Sequence, residues 1–409
     1  MIGSDANRGR SVSLRTGSAA MQWVIKTSKL CNLRCKYCYE WEHLSDPTRM
    51  SESVWRDALV AIRDYADLTT RRCGYDIPVD IIWHGGEPTL LPREYFERVF
   101  ALQREVFPSD WLQSRRVRNV LQTNLYSVRD EHLDVFAEHD VELGISVDFA
   151  EGVRLTAGGK RTEAAVRSNI RRLQDRGLPF SIITVLAGHT VSQIQRVFEE
   201  ISQLQKPTRL LPLFSGPAAR PMNGVTVDKS DILDALMVFF DLWVSAGMTP
   251  RVDPLDQYLR TVILKRMGLE RPGQDRALLG NDVLVIDRDG RLSCDAYREH
   301  GDLGNITETT IEDIVDGATY GYLVAEETAL KDSVCTQCPF LGACDTSPIA
   351  RNFDSHILQD CPIDRYILPR IEAHLEDRGF FDEQFSAMVH EVTATHVVEA
   401  FGARVSYSC

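Results

Sequence analysis

Cys31, Cys35 and Cys38 stand at a CxxxCxxC spacing in the run Cys31-Asn-Leu-Arg-Cys35-Lys-Tyr-Cys38. Three thiolates this close can converge on one inorganic group. A 4Fe–4S cluster has four irons and takes four cysteines for full ligation, so a three-cysteine loop leaves one iron open to another ligand. From spacing alone, the alternatives are a zinc site short of a ligand or plain surface thiols. A second group lies near the other end: Cys335, Cys338 and Cys344 form a CxxCx5C run, with Cys361 after it and Cys294 before it. These two groups take eight of the ten cysteines. The N-terminus has no apolar stretch of the kind an export signal carries, so clustered cysteines read as metal ligands in a reducing cytoplasm rather than as disulfides. Cys73 and Cys409 stand apart, and Cys73 reads as a plain thiol.

The elements that position these residues alternate along the first half. An apolar-rich strand over 21–28 runs straight into the first cysteine loop. Ser51 caps a helix, and residues 79–83 form a buried strand that closes on His84-Gly85-Gly86-Glu87-Pro88. The two glycines let the backbone come close to a ligand, and Glu87 can accept from an ammonium group. Helices follow over 92–107, 129–139, 162–176 and 191–204; strands follow over 117–122, 142–147, 179–186 and 209–214. Six strands with helices between them give a parallel α/β sheet. Its strand ends carry Thr123-Asn124, Ser146, Asp148 and Leu186, and ligands bind at such ends.

The CxxxCxxC loop followed by Tyr39, together with Gly-Gly-Glu-Pro at the end of the second strand, resembles the radical S-adenosylmethionine (SAM) enzymes. In that family the open iron is chelated by the amino and carboxylate groups of SAM. An electron from the cluster breaks an S–C bond, and a 5′-deoxyadenosyl radical takes hydrogen from the substrate. The resemblance implies a partial (β/α)6 barrel over about residues 21–250, with Cys31, Cys35 and Cys38 as the ligands of the SAM-binding cluster. Its SAM contacts would come from Tyr37, Gly85, Gly86 and Glu87, and from Asn124, Ser146, Arg154 and Leu186. Arg154 opens a segment similar to the family's Arg…Gly-Gly-Arg-Pro-Thr, and its guanidinium suits the SAM carboxylate. This chain departs from the pattern at Phe149, where a glycine is usual, and in the short stretch up to Arg154.

The downstream half is similar to the SPASM/twitch extension of peptide-modifying members. A hairpin over 283–294, turned by Asp289-Gly290, leads to Cys294 and Asp295. The resemblance makes Cys335, Cys338, Cys344 and Cys361 the ligands of one auxiliary 4Fe–4S cluster, with zinc as the rival. Pro348 replaces the fourth cysteine of the run, and Cys294 alone cannot hold another cluster. Two clusters in all are therefore expected. Asp295 matches the aspartate proposed as the base in sulfatase-maturating relatives, and a carboxylate can accept the proton released near a substrate radical.

Length and charge set the remaining bounds. The chain has 409 residues, 44% of them hydrophobic, with a net charge of −13. An acidic balance argues against a nucleic-acid partner, and no apolar run is long enough for a membrane span. The expected order is a disordered tail (1–20), the barrel (21–250), a helix and linker (251–281), the auxiliary-cluster domain (282–362) and C-terminal helices (363–409). The loop 215–224 suits a lid, and the last stretch reads as helices over 364–377 and 382–401. The reading is a cytoplasmic maturase of a ribosomally made precursor peptide. The motif series most resembles the cyclophane-forming enzymes, which join side-chain carbons. Thioether formation, formylglycine formation and epimerisation are the alternatives within enzymes, and a zinc- or cluster-stabilised binding module without turnover is the alternative outside them. Partners would be the precursor and a reductase, flavodoxin or ferredoxin. The short tail leaves leader binding to the barrel, the C-terminal half or a separate protein.

Overall fold

From Met21 to Ser28, Met21, Trp23 and Ile25 alternate with less buried neighbours and are themselves buried. That alternation gives a strand with one face in the core. The computed structural model describes residues 21–213, 225–268, 283–293, 302–344, 361 and 363–381. Its strands are β1 (Met21–Ser28), β2 (Leu33–Cys35), β3 (Val79–Gly85), β4 (Val117–Thr123), β5 (Glu142–Ser146), β6 (Arg154–Thr156), β7 (Phe180–Leu186), β8 (Thr208–Pro212), β9 (Val252–Asp253), β10 (Val283–Ile286), β11 (Arg291–Ser293) and β12 (Asp302–Asn305).

The six expected strands are present as β1, β3, β4, β5, β7 and β8, paired in parallel in that order. Among the described residues the sheet has ten strands, in the order β12-β11-β10-β1-β3-β4-β5-β7-β8-β9. The sequence did not reveal where the downstream hairpin sits. β10 docks in parallel on the free edge of β1, with Val24 level with Val285 and Ile25 level with Ile286. The hairpin thus covers an edge that would otherwise expose unpaired backbone groups.

The helices between these strands are α1 (Glu52–Cys73), α2 (Arg93–Val106), α3 (Ser109–Gln113), α4 (Asp130–Glu138), α5 (Glu163–Asp175), α6 (Gly188–Val191) and α7 (Ile194–Leu204). Ser51 caps α1, its side chain accepting from Val54 N. The core under α1 and α2 is aromatic: Trp83 packs on Trp55 at 4.8 Å, on Phe100 at 5.3 Å and on Phe96 at 5.4 Å. Burying each such ring is worth roughly 1.5–3 kcal/mol, which is enough to fix which face of β3 turns outward. His84 and Lys26, out of phase with Trp83 and Ile25, therefore turn into the barrel.

The remaining helices are α8 (Lys229–Ser245), α9 (Leu255–Arg266), α10 (Ile311–Val315), α11 (Ala318–Cys335) and α12 (Asp364–Asp377). Asp228 precedes α8 in an extended conformation but makes no side-chain cap bond. Cys73 is disulfide-bonded, not the plain thiol expected. Among the described residues no helix is long and apolar enough to cross a membrane. The loop 215–224, Cys294, Asp295, Pro348 and the helix expected over 382–401 lie outside the described residues.

Candidate active site

The first cysteine loop is tied down from both sides. β2 pairs antiparallel with β6, setting Cys35 opposite Arg154. On the other side, Gly86 N donates to Ser28 O and Glu87 N donates to Leu30 O, both at 2.8 Å. The glycines serve this junction. A Cβ on Gly86 would lie 2.2 Å from Leu30 O, and one on Gly85 (φ +120°) 2.0 Å from Ser28 O. The two strand ends approach so closely that no side chain fits between them.

Glu87 is buried and its carboxylate is already engaged. Oε1 accepts from Thr89 N at 3.0 Å and from the Thr89 and Thr123 hydroxyls at 2.7 Å, and Oε2 accepts from Asn124 N at 2.7 Å. Its side chain therefore clamps the ends of β3 and β4 together. Asn124 in turn reaches the cysteine loop, its Nδ2 donating to Asn32 Oδ1 at 2.9 Å and lying 3.8 Å from Cys31 Sγ.

Arg154 Nη1 stands 3.9 Å from Cys35 Sγ. The same guanidinium binds Asp148 through Nε at 2.9 Å and Nη2 at 3.4 Å. Asp148 is a buried hub that also accepts from the Tyr37 hydroxyl at 2.5 Å and from Val185 N at 3.0 Å. Burial by itself would raise the Asp148 pKa most strongly, but Arg154 and His189 beside it together outweigh that and hold the carboxyl below the usual range. Phe149 follows with φ +55°, a left-handed backbone that explains why glycine would suit this place. Ser146 lines the same cleft as Asp148 and Arg154, its hydroxyl accepting from Gln122 Nε2 at 2.6 Å.

Leu186 turns into the main core, fully buried, while Val185 and Ala187 join a small separate apolar cluster with Val153 and Val225, rimmed by Tyr37 and Leu213. The sequence placed Asp148 at a strand end but did not show it as a hub, and His189, with its ring stacked on Tyr37, was not singled out. Their signal was only position, at or just beyond a strand end.

The donor set fits an iron–sulfur cluster. The three thiols are free, and Cys31 feels the charges of both Cys35 and Cys38. Burial pushes Cys31 and Cys38 up to about 12 and raises Cys35 as well. Three desolvated thiols with one nearby cation need metal charge to ionise. Among the described residues, no three Cys, His, Asp or Glu side chains close on a single metal ion. Cys335, Cys338, Cys344 and Cys361 line one cavity with Phe340, Leu341 and Asp364.

Residues 25–201 match the Radical SAM superfamily. The chain is a radical SAM enzyme. It has the radical SAM α/β fold and uses a 4Fe–4S cluster and SAM. A serine-type anaerobic sulfatase-maturating enzyme of Bacteroides thetaiotaomicron is 24% identical over 349 residues, covering 79% of this chain and 80% of that one. The solved structure of native anSMEcpe with bound AdoMet and the Cp18Cys peptide superposes with a TM-score of 0.69 at 18% identity, covering 88% of this chain and 97% of that one. Streptococcus suis SuiB bound to its precursor peptide SuiA gives 0.55 at 13% identity, covering 80% and 71%.

Proposed function

We propose that this radical SAM enzyme is a maturase that modifies a polypeptide, and that its reaction is a side-chain crosslink within a ribosomally made precursor. The reading is carried by the three-thiol loop held against the Arg154–Asp148 pair, with a second four-thiol cavity in the downstream half. When bound, the first cluster supplies the electron that splits SAM and so provides the radical that takes hydrogen from the substrate.

The chain's own residues do the holding and orienting. Cys31, Cys35 and Cys38 would hold the cluster, whose remaining iron would be open to SAM. Arg154 keeps two N–H groups on Asp148, and the rest of its fork, beside Cys35, would serve the SAM carboxylate. Gly85, Gly86 and Asn124 would shape the amino-group side, Ser146 would serve the carboxylate side, and Tyr37 with Val185 would flank the purine. Glu87 acts through its clamp on β3 and β4. Cys335, Cys338, Cys344 and Cys361, which line one cavity, would hold one auxiliary cluster, and such a cluster would supply a site for an electron. Asp295 is the proposed base for the proton released with that electron. A flavodoxin, ferredoxin or reductase feeds the first cluster, and a separate protein can present the leader. Oxygen-sensitive clusters suit a reducing cytoplasm.

The names of the sulfatase-maturating relatives favour a second reading, in which a serine or cysteine of a sulfatase is oxidised to formylglycine. One experiment separates the two. The chain is reconstituted with iron and sulfide under dinitrogen, reduced, and given SAM. We expect 5′-deoxyadenosine and about eight irons per chain, four for each cluster. The open reading frames beside the gene are then searched for a short precursor, which is co-expressed and weighed. Loss of two hydrogens without an aldehyde supports the crosslink, an aldehyde supports formylglycine, and no 5′-deoxyadenosine refutes both.

A further inference from the structure

We propose that His189 is a hydrogen-bond partner for the nucleoside half of SAM, a role that rests on the SAM site proposed above. β7 ends at Leu186 and the chain turns at once through Ala187 and Gly188. This turn is closely built. Thr190 is fully buried, and its hydroxyl accepts from Ala187 N at 2.8 Å and donates to Val185 O at 2.7 Å. Gly188 N donates to Val225 O at 3.0 Å, and a Cβ on Gly188 would lie 2.7 Å from Thr226 O. Residue 189 is therefore delivered to one place.

That place is the mouth of the barrel beside the first cysteine loop. The His189 ring lies parallel to the Tyr37 ring, with centroids 5.8 Å apart and an interplanar angle of 6°. Its side chain is only 8% exposed, and Nε2 stands 3.7 Å from Asp148 Oδ2. Yet neither ring nitrogen has a hydrogen-bond partner. Buried polar atoms are nearly always bonded, so an exception of this kind points to an absent partner. Nε2 faces the Asp148 carboxylate, which leaves Nδ1 as the nitrogen open to a ligand.

The surroundings say what kind of donor. Val153, Val185, Ala187 and Val225, with Tyr37 and Leu213, make an apolar wall apart from the main core. A purine ring suits such a wall, and a hydroxyl or amino hydrogen of its nucleoside suits the unpaired nitrogen. The methionyl half of the same ligand carries a carboxylate and is drawn instead to Arg154, near Cys35.

The test uses the full chain loaded with its clusters. SAM affinity is measured by equilibrium dialysis, and the change that methionine alone makes in the reduced cluster's EPR spectrum is recorded in parallel. His189→Phe keeps a ring stacked on Tyr37 but cannot hydrogen-bond; His189→Gln can. We expect the Phe variant to bind SAM at least about tenfold more weakly, which is the loss of one well-placed hydrogen bond. Gln should recover most of that loss, and the methionine signal should be unchanged in both. SAM binding by the Phe variant within about twofold of wild type would overturn the proposal, since stacking alone would then suffice. So would a methionine signal lost together with SAM binding, which means a disturbed cluster rather than a lost nucleoside contact. If the Phe variant fails to load iron, the Gln variant decides: affinity within about threefold of wild type supports the role, and a tenfold loss removes it. Failure of the wild-type chain to bind SAM would instead remove the underlying site.

Discussion

Replacing Asp148 by Asn should destabilise the metal-free chain by about 3–5 kcal/mol, because it strands a buried guanidinium. Asp148 and Arg154 meet at 2.9 Å with side chains 1% and 13% exposed. At an effective dielectric near 20, two unit charges at that distance attract by about 6 kcal/mol, against which the cost of removing both from water must be set. The net worth of the pair is therefore modest, and breaking one half is the expensive change. Arg154→Gln should cost a similar amount. The double variant should be more stable than the sum of the singles by about 2 kcal/mol or more, since neither charge is then left alone. Urea unfolding of the three variants under argon, with reductant present, measures all of this. The sign with pH also follows. The Asp148 carboxyl is held below its usual range, so its contribution is present above the unfolded carboxyl pKa and is lost as pH falls through the lower folded value. The gap between wild type and Asp148→Asn should thus stay constant from pH 8 to about pH 5. Additive singles, or singles costing under about 1 kcal/mol, would show that the pair is not the buried clamp described here.

Three further outcomes are expected. Gly86→Ala should cost about 3 kcal/mol and lower the iron retained, because the new methyl meets Leu30 O at 2.2 Å and parts the β1–β3 junction; wild-type melting and iron content would exclude that close approach. His84 has its pKa lowered to about 4 by burial and then by Lys26, so it destabilises the fold as pH falls from about 6.5 toward 4, by up to about 3 kcal/mol. His84→Gln should flatten that limb of the acid-unfolding curve, and an unchanged limb would show that His84 charges freely in the folded state. Cluster assembly should release protons and speed up with rising pH, because burial holds Cys31 and Cys38 as thiols up to about 12; pH-stat titration during iron loading reads this directly, and no proton release would contradict it.

Much of this was legible from local pattern. The CxxxCxxC spacing, the Gly-Gly-Glu-Pro turn and the six alternating strands are written in neighbouring residues, because thiolate ligation, strand alternation and glycine backbone freedom act over a few positions. The four downstream cysteines were likewise readable as one group, and they do line one cavity. What neighbouring residues cannot state is which distant groups meet. The docking of β10 on β1, the Glu87 clamp on Thr123 and Asn124, and the turning of Leu186 into the core all depend on sheet register. Arg154 read as a free hand for a carboxylate, whereas the fold gives it Asp148 first and sets it beside Cys35. His189 carried no motif at all. It became notable only when the β2–β6 pairing and the turn after β7 brought Tyr37, Asp148 and an unpaired imidazole together. Spacing along the chain decides what chemistry a segment can do, and burial across the sheet decides which charges must be shared.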